Sequence, residues 1–355
     1  MPDALYVPVL KGRQGELAAL AAIQPATRQA ILPLLEMVPG SVEETGQPSQ
    51  LRTVISRTMK RLQTWAGNRL LLDAGFLPPG GGHSDDFGAL GNSVTAALNQ
   101  GVEATPVVHL DDDPKVYRDA ATIHAELRRG VAIRLGTEDL DEDSEDIEDV
   151  LTELLGTLRA ERRDVDLVLD LGVVNGDLSV RAGARLVADA LRGLTAMEEW
   201  RNVIVAGGAF PSDLSEFEPW TIGDAPRYDA LLYDYLRQRR RLPRIPTFGD
   251  YAVTHPALVT GLPYPAPPQL RYCVADRWLV LKGRRNDPRG HEQFYDVCER
   301  IASHPDFVGA ALGNADNRIA SPRSKGPGNA ATWREVGTTH HLDFVVQRIT
   351  TLGEP

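Results

Sequence analysis

Seven short aliphatic runs, each stopped by a charged residue or by glycine, constrain this chain more than any other feature. They are YVPVLK (Tyr6 to Lys11), ILPLLE (Ile31 to Glu36), LLLD (Leu70 to Asp73), TPVVH (Thr105 to His109), VAIR (Val131 to Arg134), DLVLD (Asp166 to Asp170) and NVIVAGG (Asn202 to Gly208). A parallel strand covered on both faces reads as continuous apolar sequence, so its first polar residue marks where the chain leaves the core. The intervening segments are long enough for helices: Gly15 to Ala22, Pro48 to Trp65, Asp85 to Asn99, Pro114 to Arg129, Glu145 to Glu161, Leu178 to Leu191 and Arg227 to Arg241. In the fifth, Ile147, Val150, Leu151, Leu154 and Leu158 recur at helical spacing and give one apolar face. Strand and helix alternate without hairpin signals, which predicts parallel βαβ units and a (β/α)8 TIM-like barrel.

An eighth strand is expected at Thr247 to Val253. The alternative places it at Phe307 to Leu312, with a hairpin inserted before it. The proline- and glycine-rich segment Gly261 to Gln269 cannot continue a helix or a central strand, and it reads as a linker or lid. Beyond it, Arg271 to Ala275 and Trp278 to Lys282 predict an antiparallel hairpin turned at Asp276 and Arg277. A helix over Arg289 to Ser303 and a terminal helix over Leu342 to Thr350, capped by Thr338 or Thr339, complete the reading. Residues 1–260 are thus expected to form the barrel core and 261–355 a C-terminal elaboration packed on it. Pro78 to Gly82 (PPGGG) reads as a flexible loop.

With 355 residues and 42% hydrophobic content the chain can bury a sizeable core. No run approaches the roughly 18 to 20 apolar residues of a membrane helix, and a cytoplasmic protein is expected. Cys273 and Cys298 stand outside any CxxC or Cys/His pattern and are expected to be core residues. The net charge of −11 opposes nonspecific attraction to nucleic acid or anionic membranes. Two charge runs, the acidic Glu138 to Asp149 and the basic Arg237 to Arg244, read as solvated surface or as a face for a protein partner.

A barrel gathers the C-terminal ends of its strands at one mouth, where its chemistry sits. Lys11, Glu36, Asp73, His109, Arg134, Asp170 and Asp250 are therefore expected around one opening. Each alone is what any solvated strand exit supplies; seven in register point to a site. Glu36, Asp73, His109 and Asp170 are the candidate catalytic residues, and Glu36, Asp73 and Asp170 could bind Mg or Mn for hydrolysis of a phosphate ester. Lys11 and Arg134 could hold a small anionic ligand. Two further chemistries use the same residues. Lys11 could form a Schiff base with a pyridoxal cofactor whose phosphate meets Gly207 and Gly208, or a carboxylate pair could act without metal. The segment Lys11-Gly12-Arg13-Gln14-Gly15-Glu16 sets two glycines before a helix, where backbone amides can hold an anion or simply make a tight turn.

YVPVLKGRQGEL, PLLE, FGDYAVTHP, RYCVADRWLVLKG and WREVGTTHHL together resemble the phage and bacterial beta protein family, over nearly the whole chain. The resemblance implies a bacterial or phage origin with mobile-element or antiphage roles, but no reaction. Through it Lys11, Gln14, Glu16, Glu36, Asp250, Tyr251, Lys282, Trp333, Arg334, His340 and His341 become site candidates. Of these, Gln14, Asp250, Tyr251, Arg334 and one of the histidines would contact a ligand. The competing expectation is a non-catalytic scaffold that uses the barrel for protein interaction.

Overall fold

Hydrogen bonding between successive apolar runs continues all the way round. In the computed structural model β1 (Tyr6–Lys11), β2 (Leu34–Glu36), β3 (Arg69–Asp73), β4 (Glu103–Val108), β5 (Val131–Leu135), β6 (Val165–Val173), β7 (Asn202–Gly208) and β9 (Thr247–Asp250) form a closed parallel barrel. β9 completes it by pairing with β7 on one side and β1 on the other. The structure describes residues 4–39, 48–78, 87–140, 144–239, 241–258 and 266–355.

Helices α1 (Gln14–Ala22), α2 (Pro25–Ala30), α3 (Pro48–Leu62), α4 (Ala89–Leu98), α5 (Pro114–Leu127), α6 (Thr137–Leu140), α7 (Ser144–Leu158), α8 (Asp177–Gly193) and α9 (Tyr228–Arg237) lie between the strands. The fold is a (β/α)8 TIM-like barrel with a C-terminal elaboration. In that elaboration β10 (Gln269–Cys273) and β11 (Arg277–Lys282) form the expected hairpin, followed by α10 (Gln293–Ala302), α11 (Asn314–Ala320) and α12 (Ala330–Leu352). No helix among the described residues is long and apolar enough to cross a membrane.

The two-residue period of a strand sorts side chains between the barrel lumen and the surrounding helices. Val7, Val9, Leu34, Leu71, Val107, Ala132, Val168 and Ile204 form one buried cluster inside the barrel. Tyr6, Leu10, Leu35, Leu72, Ile133, Leu169 and Phe248 pack outside it against the helices. Continuing the inner set by two residues brings Lys11, Glu36, Asp73, His109, Arg134 and Asp170 into the lumen as its uppermost layer. The lowest layer is also polar. Asp166 accepts from Arg201 (2.9 Å and 2.7 Å) and from Asn202, closing the opposite end.

Several expectations are corrected. Phe307 to Leu312 is not a strand; the chain turns there, with Gly309 at φ +94°. Ile31 makes only an isolated bridge to Tyr6, because the strand does not start until after Pro33. The terminal helix begins at Ala330, capped by Asn329, whose side chain accepts from the Ala331 and Thr332 amides. Thr338 and Thr339 are therefore buried helix-interior residues rather than caps. Val150 is 40% exposed while Ile147, Leu151, Leu154 and Leu158 are buried, so the apolar face of α7 is narrower than expected.

The helix expected over Arg289 to Ser303 opens with a 3-10 turn at Gly290–Glu292 and is regular only over α10. A third strand of the C-terminal sheet, β8 (Gly223–Pro226), pairs with β11 and was not foreseen. Most of the PPGGG loop, the start expected for the third helix and residues 261–265 of the linker lie outside the described residues. Cys273 and Cys298 are both free and buried, as core residues should be.

Candidate active site at the barrel mouth

Arg134, entering from β5, is the centre of the mouth. Its guanidinium donates to Asp73 Oδ2 (2.6 Å), Glu36 Oε1 (2.9 Å), Asp170 Oδ2 (2.9 Å from Nε) and the Tyr251 hydroxyl (2.7 Å). One planar cation thus joins β2, β3, β6 and the segment after β9. Lys11 from β1 lies behind Glu36, donating to Oε2 (3.0 Å) and to the carbonyls of His255 (3.2 Å) and Pro256 (2.8 Å). Tyr251 donates in turn to Asp170 (2.5 Å). Burial raises its phenol well above the ordinary range and keeps it a neutral donor. The remaining oxygens of Asp73 and Asp170 accept from the backbone amides of Gly75 (2.8 Å) and Gly172 (2.9 Å).

His109 stands at the edge of this layer, its Nε2 3.0 Å from Asp73 Oδ2. Its backbone amide donates to Asp112 (2.7 Å), which fixes the turn into α5. Burial alone would lower the imidazole pKa, but the Asp73 carboxylate outweighs it and raises the value above 6.5. Burial likewise works against the Asp73 carboxylate; His109 and Arg134 overcome it and hold Asp73 well below the ordinary range. The Asp73 contribution to stability is present above its unfolded pKa near 3.9 and lost as pH falls through the folded value. That of His109 is complete below about 6.5 and lost as pH rises through its raised value, so the pair is worth most between about pH 4 and 6.5. In Asp73→Asn we expect the His109 pKa to fall, since burial and Arg134 are then opposed only by the weaker pull of Asp112; nitrogen NMR of labelled histidine measures it.

These groups open on a cavity of about 660 Å3. Glu36, Asp73, His109, Arg134, Asp170 and Tyr251 line it, with Asp111, Asp112 and Asp113 from the loop after β4 and apolar surface from Phe76, Leu90 and Val116. The acid run after His109 could have been read from the sequence as part of the same wall. The connections out of β2 and β3 carry Glu43, Glu44, Asp85 and Asp86 and no lysine or arginine.

The expected metal and pyridoxal groups can be tested against these side chains. Glu36, Asp73 and Asp170 all turn toward the Arg134 guanidinium, which already supplies the cation at their centre, so the three do not fit a metal in this arrangement. Among the described residues no set of His, Cys, Asp and Glu has metal-holding geometry. Lys11 spends its donors on Glu36 and two carbonyls, and Gly207 and Gly208 are buried beneath Val174 and Pro256. A Schiff base with a phosphate cradle does not fit either.

The other candidates lie elsewhere. Asp250 points out of the barrel, as its alternation with Tyr251 requires. It accepts from the Tyr6 hydroxyl, the Ala252 amide (2.9 Å) and His341 Nε2 (2.7 Å), with Arg227 at 3.5 Å. Sequence reasoning missed Tyr6, Arg227 and its partner Asp229, because no local spacing links them. His340 meets Asp316 (3.0 Å) and the Cys273 carbonyl (2.8 Å), stacked on Tyr272. Both histidines are fully buried in the seam between barrel and C-terminal sheet, away from the cavity. Gln14 is exposed near Arg61, Lys282 donates to the Leu214 carbonyl (2.7 Å), and Trp333 donates to the Pro327 carbonyl (2.9 Å). Arg334 lies against the first turn of α1.

A family model described as Beta protein matches residues 6–347. No curated protein matches the chain. Among solved structures, carveol dehydrogenase from Mycobacterium avium in complex with NAD is similar at 15% identity. It covers 50% of this chain and 76% of its own with a TM-score of 0.21, which does not reach a common fold.

Proposed function

The chain belongs to the Beta protein family, and from that premise we propose that it is an acid/base enzyme of hydrolytic type acting at the barrel mouth, with His109 as its proton carrier. The observation that carries this reading is the His109–Asp73 pair, with His109 on the wall of an open cavity. Asp73 orients the imidazole through Nε2 and favours its charged form, while Nδ1 has no partner among the described residues. That proton is the one available to a leaving group. Arg134 holds Asp73, Glu36 and Asp170 rigid and adds positive charge beneath the substrate.

The lining carries six carboxylates against Arg134 and His109, and its field favours a neutral or cationic polar substrate. This departs from the anion expected at the mouth from the sequence. A second reading, a scaffold of a phage or antiphage system, is favoured by one observation: the mouth residues are already paired with one another.

A panel of 4-nitrophenyl glycosides, esters, amides and phosphate separates the readings. The proposed enzyme turns over a neutral or amine-bearing substrate, and His109→Asn slows it by about 10²- to 10⁴-fold with the fold retained. An unchanged rate in His109→Asn, or turnover of the phosphate alone, contradicts the proposal. A panel without any turnover supports the scaffold.

A further inference from the structure

We propose that this chain associates head to tail with a second copy of itself, the basic outer face of α3 and α4 in one copy receiving the acidic ridge of α7 from the other. Both faces lie away from the mouth cavity, and the inference does not rest on the acid/base reading. From Pro48 to Leu72 the sequence carries the cations Arg52, Arg57, Lys60, Arg61 and Arg69 and no Asp or Glu, although the whole chain has a net charge of −11. Helix α4 adds no charge of either sign. The four cations of α3 are all exposed, and at about 100° per residue Arg52, Ser56, Arg57 and Lys60 fall on one side of the helix.

Elsewhere on the surface arginines pair with carboxylates: Arg129 with Glu103 (3.0 Å), Arg277 with Asp224 (3.0 Å) and Arg289 with Asp287 (2.8 Å). Arg52, Arg57 and Lys60 have neither an ion pair nor a hydrogen bond from their side chains among the described residues. Between α3 and α4 runs a cleft of about 520 Å3, with Arg52 and Lys60 at its rim and Ile55, Met59 and Ala96 as its apolar floor. A second cleft of about 430 Å3 along α3 shares Arg52, Ser56 and Lys60 and adds Arg57.

The complementary surface is on the same chain. Helix α7 carries acids and no base. Its Asp149 and Glu153 are exposed, their carboxylates have no ion pair or hydrogen bond among the described residues, and they stand one turn, about 6 Å, apart. Val150 is exposed beside them, an apolar side chain that the floor of the α3–α4 cleft would cover. Arg57 and Arg61 repeat the one-turn spacing on α3. Because α3 follows β2 and α7 follows β5, the two faces are three strand steps apart round the eight-stranded barrel and cannot meet within one chain. They can meet between copies, in a contact of unlike faces that continues into a ring or a filament. Nucleic acid fits the basic face less well: the net charge of the chain repels it, and neither cleft offers an aromatic side chain on which a base could stack.

Sedimentation velocity of the full chain at about 10 to 200 µM tests the contact. Species larger than the monomer are expected in about 0.1 M salt and should be lost in about 1 M, where the screening length falls to about 3 Å. The double substitution Arg57→Gln with Lys60→Gln, and separately Asp149→Asn with Glu153→Gln, should each weaken association by about tenfold. Neither should change the melting temperature, because all four side chains are exposed and unpaired. Mixing the two variants should restore an equimolar dimer that grows no further, since each supplies the face the other lacks. A wild type that stays monomeric throughout, association that survives either double substitution, or a mixture that does not associate would overturn the proposal. So would wild-type binding of a labelled oligonucleotide of about 20 nucleotides that Arg57→Gln with Lys60→Gln abolishes, because the basic face would then serve nucleic acid.

Discussion

Arg134→Met is expected to lower the unfolding free energy by about 3–5 kcal/mol, the range seen when one partner of a buried ion network is removed. Glu36, Asp73 and Asp170 are almost fully buried, and each gives an oxygen to this guanidinium. Without it three carboxylates crowd one lumen, with Lys11 and His109 at the margins. Arg134→Lys should rescue little, since a single ammonium cannot reach four acceptors held on separate strands. Urea denaturation measures both variants, and a loss under about 1 kcal/mol in Arg134→Met would mean that the carboxylates find other partners or protons.

Asp250→Ala is the second large effect, again about 3–5 kcal/mol, because it strips an acceptor from Tyr6, His341 and Arg227 at once in a seam without solvent. The signature differs from that at the mouth. Burial would lower the His341 pKa, but Asp250 raises it to about 10. Its stabilisation is therefore complete below about 6.5 and lost as pH rises through about 10. The wild type should weaken toward pH 10, and Asp250→Ala should lack that alkaline loss. Hydrogen exchange should rise first in α12 and β1; exchange confined to the mouth would contradict the seam as the origin.

The barrel was legible because its strands are buried on both faces, which leaves uninterrupted aliphatic runs that end at the mouth. Six of the seven expected mouth residues do converge there. The exception, Asp250, was also decidable: Phe248 packs outward, so Asp250 two positions on must follow it, and Tyr251 must turn inward. Other features had no local signal. β8, with the sequence GDAP, has no β-branched or aromatic residue and exists because β11 offers it an edge. The first half of α12 reads as a polar segment, yet Thr338, Thr339, His340 and His341 are buried, and the two histidines find their partners in Asp316 and Asp250. Pairing at that range is set by the tertiary fold and leaves no periodicity to read.

The packing of α12 on α1 has a consequence for how the chain is made. Nearly the whole polypeptide separates Gly15 from Arg334, and translation proceeds at about 5–20 residues per second. The first helix to leave the ribosome therefore waits on the order of tens of seconds for its partner. Until then the face of α1 at Gly15, which receives Ala331 and Arg334 of α12, is uncovered. A nascent chain stalled before residue 330 should hold a barrel that chaperones still recognise as unfinished.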